Sequence, residues 1–179
     1  SSRGPRNALD APMSIYELHV RDFSIKPDPT LAAADRGKFT AFADADFSGR
    51  QHLAQLAQAG LTHVHILPAF DFATVPENVA DQVNLDDPVE KLCAKNSAAA
   101  GLCASDAGKT IRQAIEDAIA ANQLDRPQQI VGWMREFDGF NWGYDPLHFG
   151  APEGSYSTNP NGATRVLEFR EMVKALHEA

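Results

Sequence analysis

The first seventy residues run strand, helix, strand, and that order leaves few folds open. MSIYELHVRDFS (13–24) alternates in polarity and is rich in Ile, Tyr and Val, which predicts a strand from about Ser14 to Val20. SGRQHLAQLAQAG (48–60) predicts a helix. Ser48 and Gln51 stand at capping-box spacing, Leu53, Leu56 and Ala57 share one face, and Gly60 sits where a helix stops. LTHVHILPAF (61–70) predicts a second strand, ended by Pro68. Two strands joined through a helix pair in parallel, because a parallel pair requires a long crossover and a helix supplies it.

From Asp71 to Asp138 the alternation fails. TIRQAIEDAIAA (110–121) predicts a helix, with Thr110 and Gln113 as a capping box and Ile111, Ile115 and Ile119 along one face. A shorter helix is predicted around Gln128–Glu136, and a last one over GATRVLEFREMVKALHEA (162–179), with Val166, Phe169, Val173 and Leu176 spaced to bury one side. About seventy residues thus follow the second strand before the next element, too many for a simple loop. The expected organisation is an N-terminal linker (1–12), a first βαβ unit (13–70), an insertion on the second βα loop (71–139), and a site loop followed by a helix (140–179).

With 179 residues, 44% of them hydrophobic and 22% charged, the chain has ordinary globular composition. A net charge of −8 with scattered basic residues argues against nucleic acid or an anionic membrane as main partner. No apolar run approaches the roughly 20 residues of a membrane-spanning helix. The opening SSRGPRNALDAP has no apolar core and does not read as a signal peptide; lacking an initiator Met, it suggests a chain cut from something longer. Cys93 and Cys103, in LCAKNSAAAGLCAS, are spaced too widely for a CxxC redox pair and lack a second pair for zinc. The preferred reading is a disulfide closing a short loop with little core of its own, which implies an oxidising compartment; two free thiols are the alternative.

Several residues invite chemistry. GLCASDAGKT resembles a phosphate-binding loop but has six residues between Gly101 and Gly108 where four are needed, and no apolar strand precedes it. His63 and His65 form an H-x-H on the second strand, where i and i+2 share a face, so a metal-dependent hydrolase is one alternative, although further ligands would have to come from other strands. Hydrogen bonding to the backbone or to each other is the plainer role for these histidines and for His19. Glu17, Asp22 and Asp71 lie at strand ends, where site residues of parallel α/β proteins gather. FNWGYDPLHF (140–149) is the most distinctive stretch. Its rings do not suit a solvated loop, and its Asp-Pro does not suit the middle of a core strand. Gly143 permits close backbone approach and Pro146 stiffens the exit. An aromatic face with an adjacent carboxylate suits a sugar, which makes Tyr144 and Asp145 candidate ligands. Phe140 and Phe149 are expected to form an aromatic mini-core instead.

IYELHVRDFS, THVHILPAFD, FNWGYDPLHFGAPEGSYSTNP and RVLEFREMVKALH resemble, in this order and spacing, the start of the catalytic barrel of type I pullulanases, debranching members of the α-amylase family of glycoside hydrolases. The likeness covers nearly all of Met13–His177, and the Cys-containing insertion also looks like that of secreted bacterial pullulanases, where the pair is bridged. The resemblance implies an α/β chain forming part of a (β/α)8 TIM barrel. The chain would supply the first two β/α units, with a long, partly helical insertion after strand 2. It implies hydrolysis of α-1,6-glucosidic branch links with retention, which takes two carboxyls. Neither is expected in this chain: nucleophile and acid/base would lie beyond Ala179. Tyr144 matches the family's stacking tyrosine, with Asp145 and Trp142 as neighbours in the same motif. The expected partners are an α-glucan such as pullulan or a branched dextrin and the remainder of the barrel. No cofactor is implied, and the parent protein would be secreted, periplasmic or at the cell surface. A non-catalytic glucan-binding role is the second reading.

Overall fold

A computed structural model describes residues 12–179; the expected linker (1–12) falls almost wholly outside them. In chain order the strands are β1 (Ile15–Leu18), β2 (His63–Ile66), β3 (Phe70–Phe72) and β4 (Pro146–Pro152). The helices are α1 (Val20–Ser24), α2 (Ser48–Gln58), α3 (Val89–Lys95), α4 (Ala100–Asp106), α5 (Ile111–Ala120), α6 (Asp125–Met134) and α7 (Thr164–Glu178). The chain divides into two compact units, one holding the described residues up to Ala73 together with Asn141–Ala179, the other Thr74–Phe140.

In the first unit β1 and β2 pair in parallel, Ile15 opposite His63 and Leu18 opposite Ile66, with α2 in the connection. The ladder extends at both ends: Thr62 and His63 donate to the Ser14 carbonyl, and the Leu67 N–H donates to Leu18 at 2.8 Å. The strand expected to reach Val20 stops at Leu18, because the chain turns into α1, whose first turn is capped by His19. The capping box expected at α2 does not form. Phe47 is the N-cap, the Ser48 hydroxyl donates to Asp28 at 2.5 Å, and the Gln51 amide reaches the carbonyls of Ala45 and Asp46. The Asp28 loop thus takes the hydroxyl that the box needs. Leu53 is buried, Leu56 half-buried and Ala57 exposed, so the apolar face of α2 is narrower than its spacing suggests.

The same unit holds an aromatic core. Phe23 stacks on Phe42 at 5.2 Å, and Tyr156 meets Phe39 and Phe72 edge-on at 5.7 Å each. Such pairs contribute about 0.5–1.5 kcal/mol each beyond area burial. On α7 the buried residues are Glu168, Met172 and Ala175, while Val166 is exposed and Phe169, Val173 and Leu176 are half-buried. The helix is turned from its expected orientation because Glu168 is drawn inward. Its carboxylate accepts from the Ser157 hydroxyl at 2.6 Å, the Thr158 N–H at 2.9 Å and the Thr158 hydroxyl. A buried carboxylate requires such donors, and they outrank the apolar stripe.

β3 and β4 form an antiparallel pair with Asp71 opposite His148 and irregularities on both sides of Asp71. The last four residues of the stretch expected to be an aromatic loop, Pro146 to Phe149, are therefore strand. Pro146 is tolerated because it is the first residue of that strand.

In the second unit α3 to α6 close round Val83, Val89, Leu92, Ala99, Leu102, Ile111, Ala114, Ile130 and Met134. The capping box of Thr110 and Gln113 forms as expected at the start of α5. Ile111 is buried, Ile115 half-buried and Ile119 exposed; Ala114 and Ala118 complete the inner face. The predicted helix at 128–136 begins earlier, at Asp125. Cys93 and Cys103 are bonded, with Cα atoms 6.5 Å apart. They join two helices and not an irregular loop: Leu92, Ala99 and Leu102, beside them in sequence, supply core contacts that the run of small residues hides.

Candidate functional site

Backbone contacts fix the middle of the aromatic stretch. Gly143 has φ +91°, and a Cβ placed there would lie 2.6 Å from the Pro68 carbonyl oxygen and 3.0 Å from the Pro68 Cβ. Glycine is thus required twice, for the left-handed backbone and for the approach to the end of the second strand segment. The Asn141 side-chain oxygen accepts from the Gly143 N–H at 2.7 Å, and the Asp145 carbonyl accepts from the Ala73 N–H at 3.1 Å. Between these two fixed points Tyr144 is 72% exposed, and Trp142 is 59% exposed. Asp145 is half-buried. The Tyr144 ring thus stands mostly in water on a backbone held at both sides.

The two stems of this segment meet at His19, directly after β1. Its Nε2 lies 2.7 Å from the Asn141 carbonyl and 2.9 Å from the Tyr156 hydroxyl, while Nδ1 accepts from the Asp22 N–H at 3.2 Å. Burial, reinforced by Glu153, pushes the Tyr156 phenol far above its usual range, so its proton stays on. Glu153 is fully buried and accepts from the Phe72 N–H at 3.0 Å and the Ser155 N–H at 2.8 Å, and its own N–H donates to Ala69. Lys38 donates to the Ser155 carbonyl at 2.6 Å; burial lowers its pKa, against the opposing pull of Glu168 and Glu153. The backbone hydrogen bond expected of His19 is present, whereas nothing in the sequence singles out Glu153, Lys38 or Tyr156. Their partners lie up to 137 positions away, and no local pattern marks them.

The other candidates separate. Asp71 is buried and bonded to His148 at 2.5 Å, with Arg165 at 3.4 Å, which accounts for it as a strand-pair anchor. Asp22 pairs with Arg21, and Glu17 with His65 at 3.1 Å on an exposed surface. His63 contacts the Thr62 hydroxyl at 2.8 Å. Among the described residues, His63 and His65 join no set of three metal-ligating side chains. Phe149 is no mini-core residue: it is 76% exposed and touches Phe70 at 5.0 Å. With Ile66, Leu67, Pro152 and Phe169 it lines an open apolar hollow of about 360 Å³.

Comparison with known proteins gives the likeness. Residues 72–140 match the Pullulanase Ins domain. A pullulanase of Klebsiella pneumoniae is 40% identical over 175 residues, covering 94% of this chain and 16% of that protein. The chain is homologous to a segment of the pullulanases. Pullulanase 1, chloroplastic, of Arabidopsis thaliana is 36% identical over 165 residues, 92% of this chain and 14% of the relative. The crystal structure of Klebsiella pneumoniae pullulanase complexed with maltotriose superposes with a TM-score of 0.77 at 38% identity, over 89% of this chain and 16% of that one. The chain thus spans about one-sixth of the length of the two Klebsiella pullulanases and less of several other relatives. No helix among the described residues is long and apolar enough to cross a membrane.

Proposed function

We propose that this chain is part of a glycoside hydrolase that cleaves α-1,6-glucosidic branch links in pullulan or related α-glucans. In this reading β1, α2, β2 and α7 are the first two β/α units of a (β/α)8 barrel, the Thr74–Phe140 unit is carried on the second βα loop, and the remaining strands come from elsewhere in the parent protein. A parallel pair is stable only with both faces covered, and the open hollow beside Ile66 and Leu67 is a surface that further barrel elements would close.

The observation that carries the reading is Tyr144, exposed on a backbone fixed at Gly143 and Asp145. Its ring is the platform for the sugar at the bond to be cut, Asp145 and Trp142 flank it, and the nucleophile and acid/base are supplied by later strands. Two carboxyls about 5–5.5 Å apart would give retention. The maltotriose bound to the Klebsiella pneumoniae relative supports an α-glucan ligand. The Cys93–Cys103 bond supports a parent protein that is secreted, periplasmic or at the cell surface.

The test is to follow pullulan cleavage by the full-length protein with NMR of the newly formed anomeric centre. Hydrolysis with retained α-configuration is expected, and the 179-residue chain alone should release nothing. A full-length protein that binds pullulan without cleaving it would favour the non-catalytic reading.

A further inference from the structure

We propose that His19 is a positioning residue that holds both stems of the 141–156 segment and thereby sets the height of the Tyr144 ring, an inference that rests on the sugar-platform reading above. The geometry assigns its protons. Nδ1 accepts from the Asp22 N–H, so it carries no hydrogen. In neutral imidazole the other nitrogen must then carry it, and Nε2–H donates to the Asn141 carbonyl at 2.7 Å. The opposite tautomer would set a lone pair against that carbonyl and a hydrogen against the Asp22 N–H. The Tyr156 hydroxyl, 2.9 Å from the same nitrogen, completes the site.

One buried ring thus touches the residue before Trp142 on one side and the residue that ends the segment on the other. β4 begins only at Pro146, five residues past the Asn141 stem. Tyr156 is itself fixed by Phe39 and Phe72, so His19 refers the loop to the core and to the end of β1 together. Displacing the Asn141 carbonyl moves Gly143, through the Asn141 side chain that accepts its N–H, and Tyr144 with it.

Two substitutions separate this role from the capping of α1. In His19→Asn the side-chain oxygen sits where Nδ1 was and can still cap Asp22, but the amide falls short of Asn141. In His19→Gln the amide nitrogen reaches the Nε2 position, and the cap is lost. Both are made in the full-length protein and measured for kcat/KM on pullulan, melting temperature, and amide exchange at Gly143 and Tyr144 without glucan. His19→Asn is expected to speed exchange at both amides and lower kcat/KM by on the order of 10–100-fold, as a misplaced binding group does. His19→Gln is expected to melt earlier while keeping exchange and turnover close to those of the unaltered protein. Unchanged exchange in His19→Asn, or activity that tracks melting temperature across both variants, overturns the proposal. If the unaltered full-length protein cleaves no pullulan, the hydrolase reading fails, and the exchange data alone decide His19: faster exchange in His19→Asn supports the clip, and unchanged exchange refutes it.

Discussion

Replacing Gly143 with Ala tests the platform from its backbone. The added Cβ would stand 2.6 Å from the Pro68 carbonyl oxygen, a backbone atom that cannot swing aside. The residue would also have to hold φ +91°. The left-handed conformation costs an L-residue roughly 1–2 kcal/mol. Relief of the contact requires the loop to lift away from Pro68, which pulls on the Gly143 N–H bond to Asn141. Gly150 is the control: a Cβ there meets nothing within 4 Å, so Gly150→Ala should stay within about 0.5 kcal/mol of the unaltered protein. The assay is chemical denaturation together with kcat/KM on pullulan for both variants in the full-length protein. Gly143→Ala should lose about 1–2 kcal/mol in local or global stability, and its turnover should fall further than the lost stability explains, since a shift near 1 Å at a binding group can cost about 10²-fold. Equal stability and turnover for Gly143→Ala and Gly150→Ala would refute the pinned-loop argument.

Two further predictions concern the Thr74–Phe140 unit. Removing the Cys93–Cys103 bond by Cys103→Ser should destabilise this unit by about 2–3 kcal/mol, the chain-entropy estimate for a loop of this size, read as earlier melting of its helices; thiol titration of the unaltered 179-residue chain, unreduced and denatured, should find no free thiol. For Asp106, burial alone would raise the carboxyl, but hydrogen bonds from Lys109, Ser105 and Arg126 outweigh it and bring it to about 2 from 3.8. Its folded pKa is depressed, so the stability it contributes is present above about pH 4 and is lost as pH falls toward 2. Allowing for solvent screening this is on the order of 1–2 kcal/mol, and Asp106→Asn should flatten that part of the acid-denaturation profile.

What sequence could reveal here follows the range of the forces involved. The βαβ order and the Thr110 capping box depend on residues close in sequence, and both are present. Gly143 was readable as a close-approach residue because glycine between aromatic residues has few other reasons. The start of α2 and the buried face of α7 differ from what the spacing predicts. Ser48 is taken by Asp28, and Glu168 is drawn in by Ser157 and Thr158, so polar partners elsewhere in the chain override the local signals. The α3–α4 pair was hidden because its core contacts come from Leu92, Ala99 and Leu102 among small residues that carry no strong period. For His19 the sequence suggests a backbone partner but not which one. Its role depends on a carbonyl 122 residues away, which no local pattern encodes.

The most direct measurement is the comparison of Tyr144→Ala with Tyr144→Phe in the full-length protein, scored by turnover on pullulan and by melting temperature. The ring is 72% exposed, so removing it should leave melting almost unchanged. Its face should be worth about 0.5–1.5 kcal/mol in glucan binding, and more in turnover if it also holds the distorted sugar of the transition state. The account predicts that Tyr144→Ala loses turnover without losing stability and that Tyr144→Phe keeps both, because the face and not the hydroxyl acts. Full turnover in Tyr144→Ala, or a loss that only follows a fall in melting temperature, would contradict it.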